Sequence, residues 1–176
     1  YLALSDGMGQ GKMAANESKL TLEVLSKLIL NGIGLKDTID SINALLKIKN
    51  RNDMFTTLDL CNINLANARM KLIKYGANPS YHIRSGMVEK IATNSLPVGV
   101  VSKLKMVSYE MPLKNNDLII MSSDGTGNDF EQIVNDNVHL YCDQHPQEIA
   151  TFLMDQVLEK NNLDDISIIV IKVVNN

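Results

Sequence analysis

The hydrophobic pattern of this chain changes its period once, and that change limits the folds open to it. Up to residue 49 the apolar residues recur at helical spacing; from residue 55 they fall into short runs separated by turn residues. Leu22, Leu25, Leu28 and Ile29 share one helical face until Asn31-Gly32 stops the pattern. After Gly34, the residues Ile39, Ile42, Leu45, Leu46 and Lys49 outline a second helix, and the short turn between them suggests an antiparallel pair. Phe55 to Leu60, Met70 to Tyr75, Tyr81 to Ile83, Met87 to Ile91 and Val107 to Met111 then read as strands. Leu118 to Met121 is continuously apolar, as expected of a strand buried on both faces. A helix is predicted from His145-Pro146 through Ile149, Phe152, Leu153 and Val157, with Pro in its first turn. A β-branched strand follows from Ile166 to Val174, and Leu2 to Leu4 reads as the end of another buried strand. Helix pair, several strands, helix, strand is the order of an α+β fold with antiparallel sheets.

Composition narrows the function classes. The 176 residues are one domain's worth, and 45% hydrophobic residues can fill one core. A formal charge of −3 argues against a globally basic nucleic-acid binder and offers no polybasic membrane surface. No apolar run approaches the roughly 18 residues that span a bilayer. Two cysteines, Cys61 and Cys142, cannot build a disulfide framework or a thiolate zinc site, so a soluble chain in a reducing compartment is the simplest reading. The opening on Tyr1-Leu2-Ala3-Leu4, without an initiator Met, reads as a fragment whose upstream part is missing.

Three acidic positions lie where an apolar strand meets a turn. Asp6 follows Leu2-Ala3-Leu4, Asp124 follows Ile119-Ile120-Met121 within Ser122-Ser123-Asp124-Gly125, and Asp164-Asp165 precede Ile166. A carboxylate beside a buried strand is costly to desolvate unless a cation meets it. Carboxylates at strand ends can converge at one rim of a sheet, which suits hard divalent metals with oxygen ligands. A single Asp-Gly is usually only a turn, and Asp164-Asp165 could be an edge or capping device. Three such places in one domain make a carboxylate metal site an even match for those plainer readings. The glycine-rich run Gly7 to Lys12 fails as a phosphate loop in its spacing, and Met13 stands where Ser or Thr would bind magnesium. His82, His139 and His145 are scattered and read as surface or capping residues; Cys61 reads as a small core residue.

Ser5-Asp6-Gly7-Met8-Gly9, Ser123-Asp124-Gly125 and Asp164-Asp165-Ile166-Ser167 together resemble, in order and spacing, metal-dependent serine/threonine phosphatases of the protein phosphatase 2C type. Thr56-Thr57-Leu58-Asp59 and Gly76-Ala77-Asn78-Pro79-Ser80 resemble that family's central strand and the loop after it. Leu96-Pro97-Val98-Gly99-Val100 and His145-Pro146-Gln147-Glu148-Ile149-Ala150 are similar to the bacterial branch typified by the stage II sporulation protein E.

The resemblance implies a single phosphatase domain over residues 1–176. Its fold would be an antiparallel β-sandwich flanked by helices, a four-layer αββα arrangement, with N-terminal strands and an upstream metal-binding carboxylate missing from this chain. It implies two Mn²⁺ or Mg²⁺ ions, with Asp6 bridging them, the Gly7 carbonyl on one, and Asp124 and Asp164 on the other. Asp6, Asp124 and Asp164 would thereby serve catalysis. A water acidified by both cations would attack phosphoserine in line, without a covalent phosphoenzyme. The implied substrate is a phosphorylated anti-sigma-factor antagonist, whose dephosphorylation would release a sporulation sigma factor. A stress or signalling phosphatase of the same superfamily, or an inert phosphatase-like binding module, are the alternatives. No nucleic acid and no membrane contact is expected of the fragment itself, although an exposed sheet edge could pair with a second copy as a homodimer. The implied location is cytoplasmic, with membrane spans elsewhere in the full-length protein. Thr126 to Phe130 departs from the branch's usual apolar residue and nearby Glu after Asp-Gly.

Overall fold

A computed structural model of the chain describes residues 1–9, 11–49, 55–141, 143–160 and 164–174. They form two compact units: Tyr1–Ile63, Lys71–Ala77 and Thr93–Glu110 in the first, Asn64–Met70, Asn78–Ala92 and Met111–Asn176 in the second.

The first unit is built on a sheet of order β1-β2-β3-β6, comprising β1 (Leu2–Leu4), β2 (Leu58–Asn64), β3 (Arg69–Tyr75) and β6 (Ser108–Pro112). The helix pair appears as read, with α1 at Lys12–Leu30 and α2 at Leu35–Lys49. Leu25 from α1 and Ile39, Ile42 and Leu46 from α2 form one apolar core with Leu58, Leu60, Ile73 and Tyr75 of the sheet. Alternation along the strands sends the neighbouring residues to the other face. There Lys74 and Asp59, each about 1% exposed, form a 2.5 Å ion pair. Burial pulls the Lys74 ammonium below its usual range, and the Asp59 charge pulls it back up. Cys61 shares that face and is a fully buried core residue, as its setting in the strand predicts. Burial first, and Asp59 second, push its thiol up to about 12. Cys142 lies outside the described residues.

The second unit is built on the sheet β5-β4-β7-β8, with β4 (Ser80–Arg84), β5 (Met87–Ile91), β7 (Leu118–Ser122) and β8 (Ile168–Lys172), antiparallel throughout. The central strand β7 is buried along its whole length, as its continuous apolar run predicts. Helices α3 (Phe130–Asp136) and α4 (Pro146–Leu158) supply Phe130, Ile133, Ile149, Leu153 and Val157 to a core with Tyr81, Ile83, Leu118 and Ile120. Phe130 meets Tyr81 edge to face at 5.9 Å. Helix α4 starts where Pro146 places it, and the His145 ring caps it by accepting from the Gln147 N–H while Glu148 accepts from the His145 N–H.

The structure differs from the sequence reading in four places. The strand read from Phe55 to Leu60 begins at Leu58 and runs on to Asn64. Helix α3 was not foreseen, because seven residues are too few to show a helical period. The last strand, Ile168–Lys172, is shorter than the β-branched run, although backbone hydrogen bonds in the same register continue from Ser123 N to Ser167 O and from Val173 N to Asp117 O. His82 is a core residue, 4% exposed, with Nε2 3.2 Å from Asp117 and Nδ1 3.4 Å from Glu89. Alternation places it on a strand face where it meets the buried Asp117 carboxylate on one side and the exposed Glu89 carboxylate on the other.

Candidate metal centre

Asp6 and Gly7 belong to the first unit, Asp124 and Asp164 to the second. Strand β1 pairs with β2 in the register Leu2↔Cys61, Ala3↔Leu60 and Leu4↔Asp59, and the same register resumes at the bridge Gly7↔Thr56. Between them Asp6 is half-buried. Its N–H donates to Thr57 Oγ1 at 2.8 Å, and its carbonyl accepts from Thr57 N and from Thr56 Oγ1, both at 2.8 Å. Gly7 is buried because the first turn of α1 lies against it. A Cβ at this position would sit 2.0 Å from the Ala14 carbonyl oxygen, so only glycine fits. Thr56 in turn pairs through its backbone with Val98, and Asn43 of α2 holds the same loop through Gly99 N and Val101 O. The Leu96-to-Val100 segment thus supports the corner that carries Asp6.

The second corner is built differently. Asp124 opens a 3-10 turn, Asp124–Thr126, at the end of β7, and its side chain is exposed. Ser123 ties this turn to the segment before β8. Its N–H donates to Ser167 O at 3.0 Å, its hydroxyl accepts from Ser167 N at 2.9 Å, and that hydroxyl donates to Asp165 O at 3.2 Å. The Ser123 carbonyl accepts from Asn78 Nδ2 at 2.8 Å and from Thr126 Oγ1 at 2.9 Å. A Cβ on Gly125 would meet the Asp165 carbonyl oxygen at 2.3 Å. The structure therefore brings the Asp124 turn alongside the Asp164-Asp165 segment, where both carboxylates are exposed.

Among the described residues no group of three His, Cys, Asp or Glu side chains is gathered for a metal ion. Asp6, Asp124 and Asp164 carboxylates and the Gly7 carbonyl are all hard oxygen donors, the chemistry that Mg²⁺ and Mn²⁺ take. Both glycines let a backbone carbonyl pass where any side chain would block it. The residues present fit such ions. A cleft of about 350 Å³, lined by Arg84, Lys114, Asn116 and Tyr141 among others, lies at the Leu118 end of β7, away from Asp124.

The comparisons with known proteins decide the family. A profile of the family described as Stage II sporulation protein E matches residues 1–174. The chain belongs to the stage II sporulation protein E family. It is 33% identical over 183 residues to the Stage II sporulation protein E of Bacillus subtilis and 34% identical over 184 residues to that of Priestia megaterium. Each match covers 99% of this chain, but the chain spans only 22% and 32% of those relatives' lengths. Among solved structures, the PP2C phosphatase domain with a fragment of the regulatory domain of the cell fate determinant SpoIIE from Bacillus subtilis matches with a TM-score of 0.84. That match has 32% identity and covers 97% of this chain and 53% of the other. The catalytic domain of the serine/threonine phosphatase PstP, solved with two manganese ions, matches with a TM-score of 0.81 at 19% identity, covering 98% of this chain and 87% of the other. The mixed fold, with two antiparallel sheets and four α-helices among the described residues, is that of PP2C phosphatases.

Asn43, Ser123 and Asp117 escaped the sequence reading as residues of structural consequence. Asn43 and Ser123 act on backbone atoms far along the chain, which no local pattern announces. Asp117 had a visible signal: a lone acid directly before a fully apolar strand. It is fully buried and holds the Arg84 guanidinium at 2.6 and 2.8 Å.

Proposed function

We propose that this chain is a single metal-dependent phosphatase domain that hydrolyses phosphoserine on a protein. The observation that carries the reading is the matched pair of Asp-Gly corners, each closed by a passing carbonyl, in a chain of this family. Asp6 would be the ligand shared by two cations, the Gly7 carbonyl would serve one of them, and Asp124 and Asp164 would hold the other. Bound Mn²⁺ or Mg²⁺ supplies an acidified water as nucleophile and neutralises charge on the phosphoryl oxygens. The chain's own contribution is placement: hydrogen bonds with Thr56 and Thr57 fix the Asp6 backbone, and Ser123 ties the turn that carries Asp124 to the segment that carries Asp164. The substrate in this reading is a phosphorylated anti-sigma-factor antagonist. The domain would face the cytoplasm as part of a larger, membrane-anchored sporulation protein; no helix among the described residues is long and apolar enough to cross a membrane.

The test is Mn²⁺-dependent hydrolysis of p-nitrophenyl phosphate by the full natural chain containing these residues. Activity that vanishes with chelator and in Asp6→Asn supports the reading. A folded protein that stays inert with Mn²⁺ present overturns it and favours a binding module.

A further inference from the structure

The β1–β2 ladder carries an anomaly at Asp6. Continuing the observed register pairs Asp6 with Thr57, one step before the Gly7↔Thr56 bridge. In a regular hydrogen-bonded pair of antiparallel residues, each N–H donates to the other's carbonyl. Only half of that exchange is present: Thr57 N donates to Asp6 O at 2.8 Å. The Asp6 N–H goes instead to the Thr57 side-chain hydroxyl at 2.8 Å. The Thr57 carbonyl, released from the ladder, accepts from Ser5 Oγ at 2.8 Å, and Thr56 Oγ1 adds a second donor to Asp6 O. Ser5 Oγ and Thr56 Oγ1 lie 2.8 Å apart, so a hydroxyl proton given to that contact is one withheld from a carbonyl, and the two hydroxyls share the carbonyls of Asp6 and Thr57.

We propose that Thr56 and Thr57 are positioning residues for Asp6, so that divalent-cation affinity depends on their hydroxyls. The proposal rests on the reading of Asp6 as a metal ligand. The rerouted bonds hold both backbone polar groups of Asp6 and so fix the point from which its carboxylate projects. They also fix the peptide that leads into Gly7, the other expected donor on this corner. Thr56 has no exposure at all, so its hydroxyl is committed to partners within the protein. Ligand-orienting groups of this kind are tuned to the first ligands they hold, and their loss typically weakens metal binding. β-Branched residues suit this strand on shape alone, and valine would satisfy shape equally. The hydroxyls are what valine lacks.

The experiment uses Thr57→Val, Thr56→Val and Thr57→Ser in the full natural chain, with Asp6→Asn and the exposed-helix control Thr151→Val. Mn²⁺ affinity is read by calorimetry, the metal-free melting temperature by circular dichroism, and p-nitrophenyl phosphate turnover as a function of Mn²⁺. Thr57→Val and Thr56→Val should each weaken Mn²⁺ binding about tenfold, while Thr57→Ser stays within about twofold of the parent. Turnover in the Val variants should recover as Mn²⁺ is raised, and Thr151→Val should match the parent throughout. If Thr56→Val does not fold, Thr57→Val against Thr57→Ser decides. A lower melting temperature with unchanged Mn²⁺ affinity in the Val variants, while Asp6→Asn loses the metal, overturns the positioning role alone. Parent-like Mn²⁺ affinity in Asp6→Asn overturns the reading of Asp6 and the proposal with it.

Discussion

The Asp6-Gly7 and Asp124-Gly125 corners look alike in sequence and reach their form by different means. At both, the glycine is required because a carbonyl passes within 2.0 and 2.3 Å of where a Cβ would stand, Ala14 O in one case and Asp165 O in the other. At the first corner the carboxylate is half-buried and its backbone is fixed by two threonines of the adjacent strand, one of them fully buried. At the second the carboxylates are exposed, and a single serine ties two segments 44 residues apart in sequence. On the proposed reading this is a division of labour: the enclosed corner would hold its carboxylate in place, and the open corner would leave its two carboxylates room to adjust.

The largest expected effect breaks or upholds that division directly. Asp6→Asn should abolish both cation sites and with them Mn²⁺-dependent turnover, whereas Asp124→Asn should lose turnover but keep one cation; calorimetric stoichiometry separates them. Equal stoichiometry in the two variants would show that Asp6 does not bridge.

Buried charge sharpens the contrast between the units. Lys74→Ala would leave Asp59 buried without its ion pair and should cost about 3–5 kcal/mol in urea unfolding, while a joint Asp59→Leu/Lys74→Met replacement should come out close to neutral. In the second unit Arg84 is partly exposed, so Arg84→Ala should cost less, about 2 kcal/mol, with water taking over part of its role at Asp117. Gly7→Ala and Gly125→Ala should each destabilise by about 3 kcal/mol, since backbone must move in both. A tolerated Gly125→Ala beside a disruptive Gly7→Ala would break that equality and show that the second corner yields where the first does not.

How much of this the residues announced depends on the range of the interaction. The helix pair, the buried strand β7 and the capped start of α4 were legible because period, continuous apolarity and a His-Pro pair are local signals. The Asp-Gly corners were visible as acids at strand ends. Their supports were not: Thr57 lies 51 residues from Asp6, and Ser123 lies 44 from Ser167. His82 misled for the same reason, since its carboxylate neighbours come from β5 and from the turn before β7.

The smallest expected effect is one of pH and belongs to the second unit. Burial pushes the Asp117 carboxyl up, but hydrogen bonds from Arg84, the Lys114 N–H and His82 outweigh it and hold the group below its ordinary value. A carboxyl depressed on folding contributes stability above its unfolded value, about 3.9, and loses it as pH falls through the folded value. Asp117→Asn should therefore flatten the acid limb of a stability profile below about pH 4 and lower the plateau above it. An acid limb unchanged in Asp117→Asn would assign it to other carboxylates.

The thiol of Cys61 gives the first unit a clock of its own. Fully enclosed and with its ionisation pushed up to about 12, it offers an alkylating reagent neither access nor thiolate while the sheet is closed. Modification can then proceed only through opening. The labelling rate of the Cys61 peptide, followed by mass spectrometry, becomes a direct count of how often β2 comes free of its neighbours.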